Sequence, residues 1–435
     1  MTETEILAAI ETVLIEKMAH GHMDGFGPDA RLNEDLYLDS VLILEIFLNL
    51  ELEYGLSVPE EAIAKQEIET VTDLVALYLP KSTVVVPSFP LTGGTSDEGV
   101  HGDAYYDIKV HCFVSCVSDG LKRNGLDQRP FYFGVWDAKF AVSGRFELLY
   151  HAPDITQEFF RGWFERLYGV SVVEWYDPDR TKLDNLAVLL GLLKQRSDTG
   201  SVMVMLDMFH LPERENKFNQ NPFPHYLMLQ ESADPETWFV HDPDYRWEGD
   251  IAREKVIHAI MQPTVGGGYV FDNAEARAPH AEDLKAYFEA CFVRGRNPLV
   301  DAIRAIVTAH IEERDGLTLS TLSAAVRELP VITIRKYAYE HGFAFYWRAL
   351  KLPAAEFEGW CEEIEALVQS LKTLHYSCMK LAQTGDRALV TDVFERLDEA
   401  DRQEMKLKTK LAEIFDLWCD LVLPAEVPPL KRVAR

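Results

Sequence analysis

Three residues of the 435-residue chain have the types needed for acyl transfer through a thioester: Cys112, His225 and Asp242. Cys112 stands in Val110-His111-Cys112-Phe113-Val114-Ser115-Cys116, at the start of a helix predicted over 112–124 and stopped by Gly125. A thiol at a helix N-terminus meets the positive end of the backbone dipole and unpaired N–H groups. Both favour its charged, nucleophilic form. Cys116 lies one turn further in, where that field fades, so Cys112 is the expected nucleophile. His225 opens a predicted strand over 225–230, and Asp242 closes another that begins at Thr237. Nucleophile, base and orienting acid form the general arrangement for covalent acyl transfer.

The elements must bring these residues together. Residues 231–236, Glu-Ser-Ala-Asp-Pro-Glu, read as a short turn between the two strands. An antiparallel hairpin with residue 230 opposite 237 sets His225 directly opposite Asp242, on one face of the sheet. A slip of one residue would break the pair and present His241 instead. Further strands are predicted at 147–150, 170–175 and 201–207, with helices near 156–168 and 182–195. Gly266-Gly267-Gly268 lacks a following Lys-Ser/Thr and is not read as a phosphate loop. Beyond about 281 the strand signals end. Apolar stripes from Phe357 to Cys378 and from Leu389 to Trp418 predict two long antiparallel helices around Thr384-Gly385.

A second chemical feature precedes this region. The segment Leu32-x-x-Asp35-Leu36-x-x-Asp39-Ser40 leads into an apolar helical run, with Ser40 expected as its N-cap. Glu45, Leu50-Glu51 and Tyr54-Gly55-Leu56-x-Val58-Pro59 follow. Over residues 1–80 this resembles an acyl carrier protein. The resemblance implies a four-helix carrier bundle, 4'-phosphopantetheine carried covalently on Ser40, and a phosphopantetheinyl transferase and an acyl-loading enzyme as partners. A first helix is read over 3–19, a short one near Glu60 and a last one near 70–79. The Gly-rich loop carrying His20, His22 and Asp24 is read as solvated, and no metal site is expected.

The order Cys112…His225-Tyr226…His241-Asp242-Pro243, with Asp207-Met208-Phe209-His210-Leu211-Pro212 between, resembles the papain-like fold. It is similar in particular to the acyltransferase of butirosin biosynthesis, a resemblance covering roughly residues 104–275. That likeness implies transfer of an acyl group from a carrier to an amine. One feature departs from it: no glutamine occupies 103–111, so Tyr106 and His111 are the candidates for the second oxyanion donor. Asp207 is read as structural or acceptor-binding.

The expected architecture is therefore multidomain: an all-α carrier bundle at 1–80, a linker at 81–103, an α+β papain-like cysteine domain at 104–280, and an α-helical region at 281–435. A flexible linker of 23 residues spans roughly 25 Å and gives an effective concentration of millimolar order. The net charge is −28, and residues 1–80 hold 17 acidic against 3 basic residues. This excludes nucleic acid and anionic membrane as expected partners and suits a small, cationic amine acceptor. The acidic N-terminus and six cysteines without a Cys-x-x-Cys pair point to a cytoplasmic protein with reduced thiols. A thioesterase or cysteine peptidase-like hydrolase, and a non-catalytic carrier scaffold, are the alternatives.

Overall fold

The computed structural model describes residues 1–23, 25–33, 35–38, 40–58, 68–79, 111–211 and 221–423. Asp24, Asp39, Tyr106, the 81–103 linker and the helix expected near Glu60 lie outside these.

The N-terminal region is helical: α1 (Glu3–Thr12), α2 (Ser40–Tyr54) and α3 (Val71–Ala76). Thr2 and Glu5 form a reciprocal capping box that starts α1. The first helix was expected to run to residue 19, but its regular part stops at Thr12 and a wider turn occupies Val13–Lys17. The helix α2 begins at Ser40 itself, so the serine holds the first helical position and not the expected N-cap. Ile6, Ile10, Leu36, Phe47, Leu50 and Leu74 pack the core of this region.

The central region holds α4 (Cys112–Arg123), β1 (Ala141–Val142), β2 (Leu148–Leu149), α5 (Glu158–Tyr168), β3 (Val173–Glu174) and α6 (Lys182–Gln195). After these come β4 (Gly200–Asp207), β5 (Pro224–Glu231), β6 (Thr237–Asp242), β7 (Trp247–Ala252), α7 (Arg253–Ile260) and β8 (Gly268–Asp272). Six strands form one antiparallel sheet in the order β3-β8-β4-β5-β6-β7. The expected strand at 147–150 shrinks to two residues in a separate ribbon with β1, and that at 170–175 shrinks to β3.

The central strands are buried on both faces, and their alternation separates two cores. Val202, Val204, Leu206, Leu227 and Leu229 face one layer with residues of α6 and α7. Met203, Met205, Tyr226 and Met228 face the other, with Phe113 and Val117 of α4. The glycine run leads into β8 because the backbone there passes close to aromatic rings. A Cβ on Gly268 would collide with the Trp175 indole.

The C-terminal region is helical. It contains α8 (Ala281–Cys291), α9 (Pro298–Ile311), α10 (Leu322–Ala325), α11 (Leu329–Thr333) and a 3-10 turn, Ile334–Tyr337. It continues with α12 (Ala338–Leu350), α13 (Ala354–Thr384) and α14 (Leu389–Val422). The long pair α13 and α14 turns at Gly385, which takes a left-handed conformation (φ 64°). Its apolar stripe is continuous with the core of the sheet: Leu371, Leu374 and Leu411 belong to the same cluster as Phe113 and Phe131. Among the described residues no helix is long and apolar enough to cross a membrane.

His375 on α13 is buried with its Nδ1 unpaired, and burial lowers its pKa to about 4. The unfolded chain therefore binds a proton that the folded chain refuses between pH 6.5 and 4. Stability is full above pH 6.5 and falls as the solution is acidified through that window. Replacing His375 by Gln is expected to remove about 2 kcal/mol of the stability lost between pH 7 and 5. Urea unfolding of wild type and variant at both pH values measures the difference.

Candidate active site

The site is built where α4 meets the ends of β5 and β6. Cys112 is the first residue of α4, half-buried, with His111 as the N-cap residue. His225 stands near the start of β5, and Asp242 ends β6. Both are buried, Asp242 completely. His225 Nε2 lies 3.0 and 3.1 Å from the two Asp242 carboxylate oxygens. The Cys112 thiol acts on the same ring and helps to raise its pKa. With Nε2 held by Asp242, Nδ1 is the ring nitrogen left for the thiol.

The hairpin register differs from the expected one by two residues. Met228 pairs with His241 and Glu231 with Trp238, so Asp242 falls diagonally from His225 and not directly opposite it. The turn explains the shift. Thr237 N–H donates to Asp234 O at 3.1 Å, closing an Asp234-Pro235-Glu236-Thr237 turn, so that N–H is unavailable to β5. A shift of two conserves side-chain parity, so both residues stay on one face.

The residue carried toward His225 by this register is Asp244. It anchors α4 instead: its Oδ1 accepts from His111 N–H (3.1 Å) and from Ser115 Oγ (2.7 Å). Thus one end of the hairpin holds His225 through Asp242 and the Cys112 helix through Asp244. Asp242 Oδ1 also accepts from Tyr245 N–H at 3.3 Å.

Burial disfavours charge on His225, but Asp242 and the Cys112 contact outweigh it and raise its pKa to about 10. The ring is thereby held as imidazolium over the neutral range. Cys116 is fully buried, with its thiol 3.6 Å from Tyr226 O, and burial pushes its pKa far up. His111 packs against Phe160, at 5.0 Å between ring centroids, and its Nδ1 is unpaired. Burial and the nearby Arg335 hold its pKa well below the usual range, so it is neutral.

Asp207 does not join this group. Its carboxylate accepts from Phe223 N–H (2.8 Å), Phe209 N–H (3.2 Å) and Thr264 Oγ1 (3.1 Å), fixing the chain on either side of 212–220. That is a capping arrangement.

Residues that the sequence did not single out complete the surroundings. Tyr150 hydroxyl donates to Pro224 O at 3.2 Å, and its backbone N–H donates to Glu328 at 2.6 Å. Arg335, in the 3-10 turn of the C-terminal region, is buried, with Nη1 3.4 and 3.3 Å from Ala138 O and Lys139 O. Burial lowers its pKa to about 10, a shift that the neighbouring Cys112, Tyr150, Asp244 and Glu328 oppose. A cation from one region thus sits in the field of the thiol of another. No periodicity marks it, because it reaches the site only through tertiary packing. Among the described residues no cluster of three or more His, Cys, Asp or Glu is placed to hold a metal ion.

The arrangement is a thiol, an imidazole and a carboxylate assembled on a helix and a hairpin, with a buried guanidinium nearby. Residues 107–276 match the DUF6005 N-terminal domain and 282–429 the DUF6005 C-terminal domain. The chain is 41% identical over 315 residues to the petrobactin synthase of Bacillus anthracis, covering 72% of this chain and 96% of that protein. It therefore belongs to the DUF6005 family, and its kinship with a synthase supports a biosynthetic enzyme. It is also 33% identical over 67 residues to the acyl carrier protein AsbD of Bacillus anthracis, 15% of this chain and 74% of that one.

Proposed function

We propose that the protein is a carrier-dependent acyltransferase that moves an acyl group from a thioester to a small amine through an acyl-Cys112 intermediate. The observation that carries this reading is the meeting of Cys112, His225 and Asp242, contributed by three separate elements. Cys112 sulfur attacks the thioester carbonyl, and the donor's C–S bond breaks as the departing thiol takes a proton from His225. Neutral His225 then accepts a proton from the amine as its nitrogen attacks the acyl-cysteine. The amide forms, and Cys112 leaves as thiolate and regains its imidazolium partner. Asp242 keeps Nε2 protonated throughout and so leaves Nδ1 facing the sulfur.

The oxyanion needs donors that no glutamine supplies. The first-turn N–H groups of α4 point outward from the helix start and suit that role. His111, neutral and with an unpaired nitrogen, and Arg335 add a donor and a positive charge at the same place.

Residues 1–80 are read as the carrier, a reading supported by the Asp39-Ser40 segment and by the match to a carrier protein. Ser40 opens a 15-residue helix, where free N–H groups favour a phosphodiester, so the position fits a phosphopantetheine attachment. When bound, that group supplies the thiol on which the acyl donor is carried. The wider papain-like assignment rests on the Cys…His…Asp order and its placement at a helix start and strand ends.

Intact-protein mass spectrometry tests the scheme. After treatment with a phosphopantetheinyl transferase, wild type is expected to gain one arm and Ser40→Ala none. Ser40→Ala given acyl-pantetheine is expected to show an acyl adduct that Cys112→Ala lacks, and that an amine removes as amide. Release of free acid with amine present would make the protein a hydrolase. No adduct and no turnover in wild type would sink the enzymatic reading.

A further inference from the structure

We infer that the face of α13 formed by Tyr376, Met379, Lys380 and Gln383 is the docking surface on which this chain's own N-terminal bundle is recognised for delivery. These residues recur at i, i+3, i+4 and i+7 and so share one side of the helix. Tyr376 and Met379 are buried within the core cluster of the N-terminal region, not the cluster of their own. Around them the contacts are polar and specific. Tyr376 hydroxyl donates to Glu51 Oε2 at 2.8 Å, Lys380 Nζ meets Glu51 Oε1 at 2.7 Å, and Gln383 Nε2 lies 3.5 Å from Asn49 Oδ1.

One acidic side chain thus meets a phenol and an ammonium at once, and the ion pair is only 28% and 22% exposed on its two sides. A partly desolvated, hydrogen-bonded charge pair over an apolar centre is the composition of a specific interface. The sign is also right: the bundle is strongly acidic, and the cation is offered by α13.

The position of the contact favours delivery. Asn49 and Glu51 lie toward the far end of α2, with Glu51 about 16 Å along the helix from Ser40. The seat therefore grips the helix away from the serine. On the opposite side, α13 runs back from Tyr376 to Glu365, again about 16 Å. Glu365 accepts from Tyr337 hydroxyl at 2.6 Å, and Tyr337 lies in the same 3-10 turn as Arg335. One helix therefore connects the seat of the bundle to the turn that reaches the candidate active site.

This inference rests on reading residues 1–80 as the carrier, and the test separates the two. Carbodiimide joins an ammonium to a carboxylate in contact, so untagged wild type should yield a Glu51–Lys380 isopeptide by peptide mass mapping. In a mixture of isotopically light and heavy chains the linked peptides should come from one chain. No such link, or a link only between chains, overturns the inference whatever the enzyme does.

Delivery is read from the ratio of turnover with the acyl-loaded full chain to turnover with an acyl N-acetylcysteamine thioester. Lys380→Glu is expected to lower that ratio by about tenfold, and adding Glu51→Lys to restore most of it. A cross-link with an unmoved ratio would make the contact a resting pose and overturn the role in delivery. If wild type uses neither donor, the acyltransferase reading fails while the cross-link still reports on docking.

Discussion

Cys112→Ala is expected to reduce acyl transfer by about 10,000-fold or more, while the melting temperature stays within about 2 °C of wild type. The proposed chemistry requires a sulfur nucleophile, and methyl cannot replace it; the side chain is half-buried, so little packing is lost. His225→Ala should fall in the same range, and the double variant should be no worse than either single one, because nucleophile and base act as a unit. Cys116→Ala is the informative control. Its thiol is fully buried against Tyr226 O and, with its pKa pushed far up, stays protonated. Turnover of that variant should remain within roughly threefold of wild type. Steady-state assays together with intact mass for the acyl adduct distinguish the two cysteines. Loss of the adduct in Cys116→Ala with retention in Cys112→Ala would reverse their roles.

Cys112, His225 and Asp242 could be picked out because each lies at the boundary of a locally encoded element. Gly125, the continuous apolar run of β5, the alternating β6 segment and Asp234-Pro235 fix those boundaries through short-range patterns. Even the register error left the grouping intact, since a displacement of two residues conserves the face. What could not be read was set by tertiary contact. No local pattern marks Asp244, yet it holds the start of α4 from 129 residues away. Arg335 lies in a stretch whose local pattern is that of a helical core. The strand β7, Trp-Glu-Gly-Asp-Ile-Ala, has glycine and two acidic positions because it is an edge strand, so its strand signal is weak. In the N-terminal region, the Ser40 motif was legible as a local pattern, whereas Tyr376 and Lys380 looked like ordinary positions on a long helix. Their distinct environment depends on which body covers them.

The position of Arg335 depends on its neighbour, and here the largest stability effect is expected. Lys336 Nζ meets Glu404 Oε1 at 2.7 Å and Asp137 Oδ1 at 3.3 Å, and Lys408 Nζ meets Asp137 Oδ2 at 2.7 Å. All four side chains are at most 2% exposed. Asp137 follows the 3-10 turn at Arg129–Gly134 in the central region; the other three belong to the C-terminal helices. Tyr339 hydroxyl donates to Glu404 at 2.9 Å, and Trp136 O accepts from Lys336 at 2.8 Å. Burial opposes the charge on Lys336, but Glu404 and Asp137 outweigh it and raise its pKa. Two cations and two anions therefore cancel inside the core that joins the regions. Lys336→Met leaves an uncompensated buried carboxylate and is expected to cost about 3–5 kcal/mol in urea unfolding. Lys336→Met with Glu404→Met removes one charge of each sign and leaves Asp137 with Lys408. The double variant should recover most of that loss, because the residual pair is neutral. Simple addition of the two single effects would show that the charges do not act together. The same measurement bears on catalysis: if the cluster fixes the 3-10 turn, folded Lys336→Met should lose turnover beyond its loss of stability, as Arg335 leaves the field of Cys112.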